Sequence, residues 1–127
     1  VSVMRVLDMY NDFRKRFPEI TVSADKEHIG RWGQIDPEFA YVWFESLADT
    51  LNRRMLNEGE ADTCEELFAY LKNKYLFGGA EVKDCIDVSF TENLFWQVSR
   101  QKAKPYWRIL PGVLRELYIK FHGRKPV

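Results

Sequence analysis

Three sets of carboxylates stand at helical spacing: Glu45/Asp49, Asp62/Glu65/Glu66 and Glu81/Asp84/Asp87. Steps of three or four residues put such side chains on one helix face. General acid–base chemistry needs carboxyls whose surroundings push their pKa values apart, usually inside a cleft. No sequence feature marks a cleft, so the expectation is solvated faces. The two histidines, His28 and His122, each lack a second metal ligand at helix spacing. His122 reads instead as a cation near a helix C-terminus. Cys64 and Cys85 have no adjacent histidine, and no Gly-x-Ser-x-Gly elbow occurs. Gly78–Gly79 runs into Ala80–Glu81 where a phosphate loop would place Lys–Ser. These readings predict no catalytic residues, no metal and no cofactor.

What remains is recognition. Formal net charge is zero, with 19 basic and 19 acidic residues. A generic nucleic-acid binder would usually be basic overall. The zero hides a division. Residues 18–66 hold 12 acids and 4 bases, whereas residues 100–127 hold 8 bases and one acid. Such polarity steers a charged partner, or else the two lobes pair with each other. Trp96, Arg100, Lys102, Lys104, Tyr106, Trp107 and Arg108 interleave aromatics with cations, which could form a stacking-and-phosphate surface. The aromatics are more simply core anchors at a helix junction.

The elements that would position these residues read as helices. From Ser2 to Phe17, Val3, Val6, Leu7, Tyr10, Phe13 and Phe17 keep one face of a 3.6-residue period. Pro18 is expected to stop this helix. Residues Glu19–Ile35 sustain no period, with at most one helical turn at Ser23–His28, and are expected to form a long irregular loop. Trp32 would anchor that loop in the core or else serve as an interface hot spot. Asp36–Pro37–Glu38 is a helix start, and the helix should run to about Asn57. A third helix begins at Asp62 or Thr63, with Thr63 and Glu66 at capping-box spacing, and ends at Gly78–Gly79. A fourth covers roughly Glu81–Ser99, with a strand at Ile86–Phe90 as the alternative. Gln101–Lys104 reads as a basic link ending in Pro105, and Tyr106–Leu110 as one turn. A last helix spans Pro111–Phe121 and closes at Gly123.

The sum is one all-α domain over residues 1–127, a bundle of four to five helices with a long loop after the first. The longest apolar run is Phe39–Phe44, well short of the roughly 20 residues a membrane span needs. No signal-peptide pattern opens the chain, and two buried free thiols suit a reducing compartment. The expected location is the cytoplasm.

The second half resembles a bacterial family of small helical proteins encoded near polymorphic toxins, some of them immunity proteins. The resemblance runs over roughly residues 65–121, in EELFAYLKNKYLFGGAEVKDCIDVSFTENLF and YWRILPGVLRELYIKF. Its centre is Val88, Ser89, Phe90, Glu92, Asn93 and Leu94. It implies a non-enzymatic protein that binds and neutralises a cognate toxin domain, such as a nuclease. An acidic face against a basic groove would give fast steering and tight pairing. Asp25, Glu27, Glu58, Glu60, Asp62 and Glu65 are the expected exposed acids, with Trp32 as a candidate anchor. The alternative is a small nucleic-acid-binding or regulatory adaptor that uses the basic C-terminal quarter.

Overall fold

The computed structural model describes residues 4–127, so Ser2 and Val3 of the expected first helix lie outside the described residues. The order is α1 (Val6–Arg16), α2 (Pro18–Trp32), α3 (Ala40–Leu56), α4 (Glu65–Phe77), α5 (Ala80–Asp84), α6 (Arg100–Ile109) and α7 (Gly112–His122). Short 3₁₀ turns at Pro37–Phe39 and Ala61–Cys64 precede α3 and α4, and a π-helical stretch, Cys85–Thr91, continues α5. The all-α class is as expected, and no strand occurs among the described residues. Four to five helices was an undercount.

Helix α3 is the central strut. It buries Trp43, Phe44, Leu47, Leu51 and Met55, and α1, α2, α6 and the π-helical stretch pack around it. Its start follows from sequence: the Asp36 carboxylate accepts the Glu38 N–H at 2.9 Å, and Pro37 occupies the first turn at no hydrogen-bond cost. Edge-to-face aromatic contacts knit α1 to α3, with Tyr10 and Trp43 centroids 5.4 Å apart and Phe13 and Phe44 5.9 Å apart.

Two expectations are corrected here. The expected loop at Glu19–Ile35 is mostly α2. Pro18 ends α1 and also opens α2, because a proline at the first helical position loses only an N–H that has no partner there anyway. Gly33, at φ 85°, caps the end, its N–H bonded to the Ile29 carbonyl at 2.8 Å. The expected basic link at Gln101–Lys104 is likewise helical, since α6 runs through Pro105. Ser99 starts it by accepting the Lys102 N–H.

The helix expected over Glu81–Ser99 is right in its first half, and the strand alternative is not found. Past Thr91 the chain turns irregularly, and Phe95 and Gln97 adopt left-handed φ of 69° and 56°. Thr63 does not cap α4. Its hydroxyl donates to the Glu60 carbonyl at 2.7 Å instead. At the far end Gly123 closes α7 in the left-handed conformation, as its position suggested.

Candidate functional site

The predicted partner-binding acids separate into two groups. Asp25 is not a free surface charge. It is half-buried and accepts both guanidinium N–H groups of Arg14, at 2.7 and 2.8 Å. The indole N–H of buried Trp43 adds a third bond at 2.9 Å. A bidentate, partly desolvated pair of this kind ties α2 to α1 and α3. Glu27 is also committed, forming an ion pair with Arg53 of α3. These two corrections follow from α2 being a helix, which turns both acids toward its neighbours.

Glu58, Glu60, Asp62 and Glu65 are different. All four are exposed, and none has an ion-pair partner among the described residues. They follow one another through the connection from α3 to α4, with Glu66 just beyond. The connection is held rigidly. Its left-handed Glu58, at φ 57°, reverses the chain. The Tyr106 hydroxyl of α6 donates to the Gly59 carbonyl at 2.8 Å, and Lys102 Nζ donates to the Leu56 carbonyl at 2.8 Å.

The charge division is not consumed by pairing inside the fold. Among the described residues, no ion pair involves residues 100–127. Arg100, Lys104 and Arg108 are exposed at four-residue steps along α6. The aromatic half of the expected stacking surface is missing, however. Tyr106 and Trp107 are in the core, as the simpler reading held. Trp96 is the exception and stands 63% exposed. Trp32 is 53% exposed, so it is not a core anchor.

A concavity of about 600 Å³ lies between α2 and α3 beside Trp96 and Gln97. All of its ionisable groups but Lys26 are ion-paired: Arg31 bridges Asp49 and, just outside the lining, Glu45 at 3.0 Å, and Arg53 holds Glu27. Burial pushes the Asp49 carboxyl up, and Arg31 opposes that shift. A carboxylate locked to an arginine is poorly placed to carry protons for a substrate. Among the described residues, no group of three or more His, Cys, Asp or Glu side chains is placed to hold a metal ion. Cys64 and Cys85 are free and buried, and burial raises both thiol pKa values.

Residues 10–123 match the family described as "Domain of unknown function (DUF7674)". The chain belongs to this family. No curated protein and no solved structure matches it. The DUF7674 match takes in all of α2 to α7 and most of α1, so the acidic edge, the α2–α3 concavity and Trp96 all lie within it. Nothing in the DUF7674 description connects the chain to toxin-associated families. Among the described residues of this DUF7674 chain, no helix is long and apolar enough to cross a membrane.

Sequence reasoning missed the turn that presents Trp96 in this DUF7674 domain. Leu94 and Phe95 are buried, while Trp96, flanked by left-handed Phe95 and Gln97, stands outside. Two left-handed non-glycine residues around one exposed tryptophan have no signature in composition or period. The buried polar residue Asn52, which holds the turn, sits on α3 between Leu51 and Arg53, with Ser46 and Thr50 also buried on that helix.

Proposed function

We propose that this protein is a non-enzymatic binding module, an immunity-type protein that captures and neutralises a basic toxin domain in the cytoplasm. One observation carries the reading: Glu58, Glu60, Asp62 and Glu65 form an exposed, unpaired acidic edge on a connection pinned by α6. Fixed charges on a rigid support steer a cationic partner without a large ordering cost on binding. The paired ionisable groups of the α2–α3 concavity fit this reading better than they fit catalysis.

The test is co-purification of the tagged chain with the product of the adjacent gene, together with growth rescue on coexpression. The expected result is a stable complex and rescue. Glu58→Gln, Glu60→Gln, Asp62→Asn and Glu65→Gln together should slow association and flatten its salt dependence. No association and no rescue would overturn the reading.

A nucleic-acid adaptor is the second reading, favoured by the Arg100, Lys104 and Arg108 row. It predicts binding whose log–log salt slope is about −0.9 per phosphate contacted. The burial of Tyr106 and Trp107 removes the stacking platform it would use, so protein binding is preferred.

A further inference from the structure

A second surface lies away from the acidic edge and stands on separate observations. Between α3, the π-helical stretch and α7 runs a groove of about 400 Å³. Its apolar lining is Val42, Val88, Trp96 and Phe121. Three of these are exposed, Trp96 at 63% and Phe121 at 58% more than Val88 at 38%. Single exposed apolar residues are ordinary, but a contiguous set around a depression marks a contact site. Aromatic anchors ringed by polar groups are the usual anatomy of a binding hot spot.

The ring here has a sign. Glu45 and Glu92 line the groove. Asp84 stands beside it, held by the hydroxyl of the groove residue Tyr41 at 2.5 Å. Asp87 precedes Val88 on the same stretch. The cations nearby are few. Arg31 bridges away to Asp49 as well as Glu45. Lys120 acts on Asp87, and the His122 ring faces the Glu92 carbonyl at 3.0 Å while stacking on Tyr118.

The turn that supplies Trp96 is built at a cost. Left-handed Phe95 and Gln97 flank it, a backbone conformation that strains a residue other than glycine. The turn is over-determined by Asn52 bonds to Phe95 and Asn93. Asn93 itself donates to the Ser89 carbonyl at 2.9 Å. Strain held in place around an exposed aromatic fits a pre-set contact.

We propose that this groove docks a cationic amphipathic segment of a partner protein, an apolar side chain entering between Val88, Trp96 and Phe121 while Lys or Arg residues meet Glu92, Asp84 and Asp87. The aromatic faces of Trp96 and Phe121 also suit an arginine directly. The acidic rim selects against an acidic segment of the same shape.

The experiment uses the full chain and two fluorescein-labelled helical peptides of equal length, one of Leu and Lys, the other of Leu and Glu. Fluorescence anisotropy should show binding of the Leu/Lys peptide and none of the Leu/Glu peptide. Trp96→Ala and Phe121→Ala should each weaken the Leu/Lys peptide at least tenfold. Asp87→Asn with Glu92→Gln should weaken it about as much. The conservative Trp96→Phe should retain most of the affinity, which separates a lost contact from a damaged fold. Glu58→Gln with Glu60→Gln, at the other surface, should change affinity less than twofold. The proposal is overturned by no binding of the Leu/Lys peptide, by equal binding of both peptides, or by an affinity that follows Glu58 and Glu60 rather than Trp96. Capture of the adjacent gene product is scored separately, by co-purification and growth rescue, so the two proposals fail separately.

Discussion

The side-chain carbonyl of Asn52 accepts the backbone N–H of Phe95 at 2.7 Å, across 43 residues of chain. Its amide group donates to the Asn93 carbonyl at 2.9 Å. One buried side chain on α3 thus satisfies a donor and an acceptor of the turn that carries Trp96. The arrangement requires both halves of the amide. Asn52→Ala should cost roughly 1–3 kcal/mol, the cost of leaving buried polar groups unmade. Asn52→Asp can still accept from Phe95 but turns an acceptor toward the Asn93 carbonyl, and should be at least as damaging. Chemical denaturation gives the stability. Tryptophan emission, compared with a Trp96→Phe background, should show the turn loosening.

Legibility in the sequence tracked how strongly each element advertises its buried face. Helix α3 was readable because Trp43, Leu47, Leu51 and Met55 form an apolar stripe behind an Asp–Pro start. Helix α2 was not, because its buried positions are Thr21, Ala24 and His28. Small and polar residues give a helical period with no hydropathy contrast, while Val22, Ile29 and Trp32 face outward. Pro105 hid α6 in a similar way, since proline is read as a break wherever it falls. Of the acids expected at the surface, Glu58, Glu60 and Asp62 of the α3–α4 connection and Glu65 at the start of α4 are there, because a connection has no partner face. Asp25 and Glu27 are not, because the helix they sit on was missed.

Gly78 predicts a steric effect. A Cβ there would lie 2.4 Å from the Lys74 carbonyl oxygen and 2.8 Å from Val82 Cγ1. The φ of −81° is open to any residue, so the constraint is space and not conformation. Val82 is fully buried and the carbonyl is backbone, so neither yields cheaply. Gly78→Ala should destabilise by about 1–3 kcal/mol. Gly30, with nothing within 4 Å of its Cβ position, is the control. It lies inside α2, and Gly30→Ala should stabilise by about 1 kcal/mol through helix propensity. Thermal melts of the two variants should move in opposite directions.

The two thiols should be silent in the folded protein. Cys64 is 2% exposed and Cys85 fully buried. Cys85 has Asp84 and Glu81 adding to the burial that raises its pKa. The thiolate is the reactive species, so both effects suppress modification. A thiol reagent such as DTNB should label neither cysteine in native buffer and both in denaturant. Labelling of one alone under mild denaturant would identify which helix pair opens first. Native labelling of Cys85 would contradict the packing of the π-helical stretch on α3.

His28 sets the acid limb of stability. It lies buried between α2 and α3, with Nδ1 3.2 Å from the Ser46 hydroxyl and its ring 6.5 Å from that of Trp32. Burial lowers its pKa from 6.5, Asp25 opposes the shift, and Arg31 assists it. The unfolded chain therefore binds a proton more readily than the native chain. This contribution is fully present above about pH 6.5 and is lost as pH falls through that value toward the lower native one. Asp49, Asp87 and Glu92 act with the opposite sign. Burial raises all three, so the native state binds their protons first and gains stability as pH falls through the carboxylate range. The two effects oppose each other, and the histidine effect begins at the higher pH. Urea midpoints of the wild type should therefore start to fall as the pH drops below about 6.5. His28→Gln retains a polar group beside Ser46 but cannot charge, and should remove most of that fall. An unchanged slope in this variant would place the sensitivity elsewhere than His28.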